Sequence, residues 1–304
     1  MEEKVIVVQN LTRDYGEGRG IFDLTFDIKK GETFGFVGTN GSGKTTTIRH
    51  IMGFLKAKSG SVKVLGLDAW HDSCEIKKYV EYIPGEIAFP DLPDGVQFLK
   101  SQAELLGLKN MDKADYLIKR LQLDPTANLK RMSKGMKQKT AIVAALMANK
   151  DILILDEPST GLDPLMRETF LELVLEEKKA GKTILMSSQM FDELELTCDR
   201  VALIFNGKIV DIADIKALKN SNIKYYKIEF TNSLDFNKFK KSKYEITRIQ
   251  EKYNQVTIKI KDEDVNSLFK YLKKFDLKFI SEVKYNLEKY FKDILAKYKE
   301  EKDV

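Results

Sequence analysis

The residues of this sequence whose types and spacing carry chemistry begin at Gly38. Gly38-Thr39-Asn40-Gly41-Ser42-Gly43-Lys44-Thr45 reads glycine, four residues, glycine, lysine, hydroxyl, and Thr46 follows. Glycines let a backbone turn tightly and aim consecutive N–H groups at one point, and a helix opening just after them adds a partial positive charge. Such a loop holds phosphate. Lys44 is placed to neutralise the β- and γ-phosphates of a nucleoside triphosphate, Thr45 to ligate Mg²⁺ through its hydroxyl, and Thr46 to reach the α-phosphate.

A second constellation lies far downstream. Ile152-Leu153-Ile154-Leu155-Asp156-Glu157 is an apolar run ending in two acids. A buried strand in the middle of a sheet can deliver carboxylates to the edge beside a phosphate loop. Asp156 is then expected to hold Mg²⁺, directly or through water, and Glu157, pointing to the opposite side, to polarise an attacking water. Phosphoryl transfer needs both a metal to spread charge and a residue to orient the nucleophile.

Positioning these groups needs strands that feed loops and helices that cover them. β-branched and alternating apolar residues predict strands over 5–9 and 22–28, and a short strand over 33–37 runs straight into the glycine loop. A helix is expected over 44–54, then short strands over 61–64 and 79–83. From 94 to 149 the spacing becomes helical. Val96, Leu99, Ala103 and Leu106 form one stripe, and Tyr116, Leu117, Arg120 and Leu121 another. The apolar strand over 151–155, a helix over 169–179, strands over 183–187 and 200–205, and an Asn206-Gly207 hairpin turn into 208–210 complete the pattern. Strand–helix alternation with a helical insert predicts an α/β sheet carrying a helical subdomain. After Leu218 the texture changes. Strands over 225–230, 256–260 and 278–283 and helices over 234–241 and 265–275 suggest the order β-α-β-β-α-β and a small α+β, ferredoxin-like domain.

Composition bounds the function. With 304 residues, 43% hydrophobic and 32% charged, the chain is long enough for a large domain and a smaller one. Two cysteines, Cys74 and Cys198, stand far apart in no metal-ligand spacing, so each is expected as a small buried or half-buried side chain in a reducing compartment. Residues 1–10 do not read as a signal peptide, and no apolar run approaches the ~20 residues that span a bilayer. The net charge of +5 comes from the segment after 221, with Lys and Glu interspersed as on a solvated surface. One phosphate loop, no heptad run and no cysteine cluster argue against a nucleic-acid partner.

The motifs, in this order, resemble the nucleotide-binding subunits of ABC transporters over residues 5–218. Between the phosphate loop and Asp156, Met132-Ser133-Lys134-Gly135-Met136 is similar to the family's signature segment in a variant form, matching at Ser133 and Gly135. The resemblance implies a P-loop ATPase domain over 1–218 with a helical subdomain at about 86–149, and an accessory domain over 219–304. It implies ATP and Mg²⁺ as cofactors, and two subunits, as a homodimer or a heterodimer, meeting head to tail with ATP between them. Ser133 and Gly135 would then bind the γ-phosphate held by the opposite subunit. It also implies that Tyr15 stacks on adenine, and that Asp163, in Ser159-Thr160-Gly161-Leu162-Asp163, communicates between the two sites. A separate transmembrane permease would carry the substrate, the helical insert near Phe89 would meet it, and the chain would sit in the cytoplasm, peripheral on the inner face of the cell membrane. Asn286-Leu287-Glu288-Lys289-Tyr290-Phe291 is similar to the tail of ATPases serving ABC-2-type exporters, which suggests export.

Two positions depart from the family pattern. Where the family has a glutamine after the 79–83 strand, this chain has Gly85-Glu86. Where the family has a γ-phosphate-contacting histidine, it has Gln189. Glutamine can donate a hydrogen bond but cannot become a cation, so hydrolysis is expected to be slower while ATP binding survives. His50 and His71 are far upstream and are expected at the surface.

Overall fold

The computed structural model describes residues 3–220 and 222–300. Residues 1, 2, 221 and 301–304 lie outside the described residues, and with them the start of the 1–10 stretch and the end of the basic tail.

The chain opens with β1 (Lys4–Gly16) and β2 (Arg19–Lys29), paired antiparallel. β3 (Thr33–Val37) leads through the glycine loop into α1 (Lys44–Ile51). β4 (Ser59–Val64) returns to β1, β5 (Leu67–Asp68) pairs with β4, and α2 (Ser73–Ile76) leads to β6 (Val80–Ile83). Three helices follow: α3 (Gly95–Leu105), α4 (Asp112–Arg120) and α5 (Lys134–Met147). The chain then re-enters the sheet with β7 (Ile152–Asp156), α6 (Pro164–Lys179), β8 (Thr183–Ser188), α7 (Phe191–Thr197), β9 (Arg200–Phe205) and β10 (Lys208–Asp214).

Two sheets result. The first has the order β2-β1-β4-β5 and is antiparallel. The second has the order β10-β9-β3-β8-β7-β6, parallel throughout except at β10. β3, β7 and β8 are buried at every position, which is why their apolar residues do not alternate with exposed polar ones. Phe26 of β2 joins the two sheets. It stacks on Phe34 at 5.6 Å and meets Phe36 edge-on at 5.1 Å.

Several bounds differ from expectation, each for a local reason. β1 runs well past residue 9, because register shifts such as that between Val8 and Leu11 break the period-two pattern. α6 starts at Pro164, capped by Asp163, whose carboxylate accepts from Met166 N–H at 3.0 Å. Tyr116 and Arg120 do not join an apolar stripe on α4. Arg120 pairs with Glu172 and Glu176 of α6, each at 2.7 Å, and the Tyr116 hydroxyl donates to Glu176 at 3.0 Å.

By its own contacts the chain forms two units. One reaches Asp214 and takes in residues 294–300; the other is Ile215–Asp293. The second unit begins with α8 (Ile215–Lys219), β11 (Ile223–Phe230), α9 (Ser233–Phe239), β12 (Glu245–Gln250) and β13 (Gln255–Lys261). α10 (Val265–Leu272) and β14 (Leu277–Val283) follow, and the unit ends at Asp293, within α11 (Leu287–Glu300). Its antiparallel sheet has the order β12-β13-β11-β14, over a core of Ile228, Phe230, Phe239, Ile258 and Leu268. β12 is an edge strand of mostly exposed residues, so no apolar alternation announces it.

Among the described residues no helix is long and apolar enough to cross a membrane. Cys198 is buried, but Cys74 is exposed, contrary to expectation. Burial pushes the Cys198 thiol up to about 12, which leaves it protonated at pH 8. A thiol-alkylating reagent at pH 8 is therefore expected to modify one site in the folded chain, at Cys74, and two in denaturant. Mass spectrometry of the alkylated peptides checks it, and labelling of Cys198 in the folded chain would contradict it.

Candidate nucleotide site

α3, α5 and α6 each open on a side-chain cap, from Asp94, Ser133 and Asp163 respectively. α1 has none. Gly43, at its start, has φ +114°, a conformation open to glycine, and a Cβ there would meet Ile21 at 2.6 Å. The first turn of α1 thus keeps its orphan N–H groups for a ligand. They open on a cavity of about 310 Å³ lined by Tyr15, Arg19, Gly20, the loop residues Thr39, Asn40, Gly41, Ser42, Gly43, Lys44, Thr45 and Thr46, and Glu157. Gly38 belongs to the same cradle, since its carbonyl accepts from Lys44 Nζ at 2.7 Å. Tyr15 is half exposed at the rim, with the Arg13 guanidinium 5.3 Å from its ring.

The two acids at the end of β7 take different environments. Asp156 is fully buried. Its Oδ1 accepts from the Ser187 hydroxyl at 2.6 Å, and its Oδ2 has no hydrogen-bond partner among the described residues. A buried carboxylate oxygen without a donor suits a hard cation. Among the described residues no three His, Cys, Asp or Glu side chains form a cage for a metal. Gly85 stands beside Asp156: a Cβ there would lie 3.5 Å from Oδ2. At residue 85, therefore, no side chain stands at the carboxylate. The nearby Tyr82 phenol is pushed up to about 12 by burial and then by Asp156. Glu157 turns into the left-handed region, φ +49°, and its Oε1 lies 3.1 Å from Lys44 Nζ.

Ser133, Gly135, Asp163 and Gln189 do not line this cavity. Ser133 caps α5, accepting from Met136 N–H at 3.2 Å, and is exposed. Gly135 lies against the loop after β7: a Cβ there would meet the Gly161 carbonyl at 2.8 Å. The buried Gln138 amide donates to the Pro158 carbonyl at 2.7 Å, tying α5 to that same loop. Gln189 is exposed just past β8. His71 is exposed as expected, but His50 is buried on α1. Its Nδ1 contacts the Thr46 carbonyl at 2.8 Å, and burial lowers its pKa. Sequence reasoning assigned no role to Ser187, Arg19 or Gly20. Their only signal was a neighbouring motif.

Comparison with known proteins agrees with this geometry. The ABC transporter family profile matches residues 21–160. An uncharacterized ABC transporter ATP-binding protein of Methanocaldococcus jannaschii is 33% identical over 216 residues, 69% of this chain and 78% of that protein. The linearmycin resistance ATP-binding protein LnrL of Bacillus subtilis is 32% identical over 213 residues, covering 68% of each chain. A solved ATP-binding subunit of an ABC transporter superposes with a TM-score of 0.64 at 28% identity, covering 71% of this chain and 92% of that one. A P-loop cradle, two carboxylates at the end of a buried parallel strand and these matches lead to one conclusion: the chain belongs to the ATP-binding subunits of ABC transporters, which bind and hydrolyse ATP and drive transport through a separate transmembrane partner.

Proposed function

We propose that this chain is the Mg²⁺-dependent ATPase of an exporter, working on the inner face of the cell membrane through its permease. The observation that carries the Mg²⁺ reading is the unpartnered, fully buried Asp156 Oδ2, next in sequence to Glu157, which lines the phosphate cavity. Asp156 and Thr45 would hold the ion, which when bound spreads the charge of the phosphates. Lys44 neutralises the β- and γ-phosphates, the backbone of 38–46 wraps them, and Tyr15 stacks on the adenine. Glu157 orients the attacking water, and Gln189 contacts the γ-phosphate. Ser133 and Gly135 serve the opposite subunit's nucleotide, and Asp163 sits in the loop between the two sites. Residues 1–218 form the motor, with 86–149 as its helical part, and 219–304 an accessory domain. Export is supported by the tail motif at 286–291 and by the resistance protein among the relatives.

Steady-state phosphate release by the purified chain tests this reading, with and without Mg²⁺. Turnover that needs Mg²⁺ is expected; ATP binding without any turnover would instead favour a regulatory module, which Gly85 and Gln189 make the second reading. Gln189→His is expected to raise the rate at least about tenfold, equivalent to ~1.4 kcal/mol of barrier. Equal rates in the two chains would show that Gln189 is a working replacement.

A further inference from the structure

Ser187 sits on β8 directly opposite Asp156 in the parallel register with β7, and it is fully buried. Its hydroxyl makes two contacts that share one oxygen. It donates to Asp156 Oδ1 at 2.6 Å and accepts from the Glu157 backbone N–H at 2.9 Å. The Ser187 carbonyl takes the same N–H at 3.2 Å. A serine has a single O–H to give, and here Asp156 receives it.

Two consequences follow for the reacting groups. With Oδ1 engaged, the Asp156 carboxylate is fixed in rotation, and Oδ2 is the oxygen left over, on the side where Gly85 has no side chain. With its N–H clamped, Glu157 is held at φ +49°, a conformation that a residue with a Cβ disfavours. Its carboxylate is thereby directed toward Lys44. One hydroxyl therefore sets the orientation of both acids.

We propose that Ser187 is a positioning residue for ATP hydrolysis. It selects the Asp156 oxygen offered to the nucleotide's metal and holds the backbone of Glu157, without touching ATP itself. The proposal rests on the Mg²⁺-dependent reading above. Groups that orient a metal ligand typically contribute about 10–100-fold in metal affinity or activity.

The test compares Ser187→Thr with Ser187→Val in the full chain, since the two replacements share a shape and differ in the hydroxyl. Thermal melts establish that both are folded. Expected are a kcat for Ser187→Thr within about threefold of the unaltered chain and a kcat for Ser187→Val lower by about 10–100-fold. KM for ATP should stay within about twofold, and the Mg²⁺ concentration for half-maximal rate should rise in Ser187→Val alone. Equal rates in the two variants, or a change confined to KM, would overturn the proposal. If the added methyl unfolds both, Ser187→Ala against the unaltered chain carries the same kcat-against-KM split. A chain that binds ATP but never turns it over defeats the hydrolytic reading instead. Mg²⁺-dependent displacement of a fluorescent ATP analogue then decides: an unshifted Mg²⁺ requirement in Ser187→Val overturns the positioning role.

Discussion

Glu157→Gln is expected to retain ATP binding, to lower hydrolysis by about 10²–10⁴-fold, and to accumulate as an ATP-bound dimer. The magnitude is that of removing a general base whose geometry is otherwise kept, since glutamine has the same shape and no charge. The effect on binding has the opposite sign. Lys44 is shared between the carbonyls of Gly38 and Thr39 and the Glu157 carboxylate. A γ-phosphate must take Lys44 from that carboxylate. Without the charge the competitor is weaker, so affinity for ATP rises while turnover falls. Phosphate release and size-resolved dimer formation check both halves. A variant that hydrolyses at the original rate would remove Glu157 from the mechanism.

Phe36→Ala is expected to destabilise the first unit by about 3–5 kcal/mol. Phe36 is fully buried and meets Phe26 at 5.1 Å and Phe34 at 5.6 Å, both edge-on. The three rings lie in the core shared by the antiparallel sheet and the parallel one. The chain's single tryptophan, Trp70, lies in the first unit and is partly exposed. Its fluorescence during denaturant unfolding therefore reports that unit alone. An unchanged midpoint would mean that the cluster relaxes around the gap.

What was legible in the sequence was what chemistry forces into consecutive residues. A phosphate cradle needs its N–H groups in sequence, so residues 38–46 announce themselves, and the apolar run before Asp156 is legible because a strand buried on both faces has no polar side. Groups that act by proximity were not legible. Ser187 stands thirty-one residues from Asp156 and meets it only through the parallel register of β7 and β8. Arg120 looked like part of an apolar stripe because its partners, Glu172 and Glu176, belong to another helix. His50 looked like a surface residue, because a buried imidazole bonded to a carbonyl on its own helix leaves no trace in spacing. The turn of Glu157 toward Lys44 was likewise hidden, since a left-handed φ at a glutamate has no sequence mark.

The contacts between α5 and the loop after β7 bear on how two such subunits keep time. Gln138 bonded to Pro158, and Gly135 against Gly161, tie the helix that we propose addresses the opposite subunit's nucleotide to the loop that follows this chain's own Glu157. On that proposal, a dimer built from these chains would have its two reaction centres mechanically in series. Occupancy of either is then felt at the other, and a sigmoidal dependence of rate on ATP follows from the wiring within each protomer.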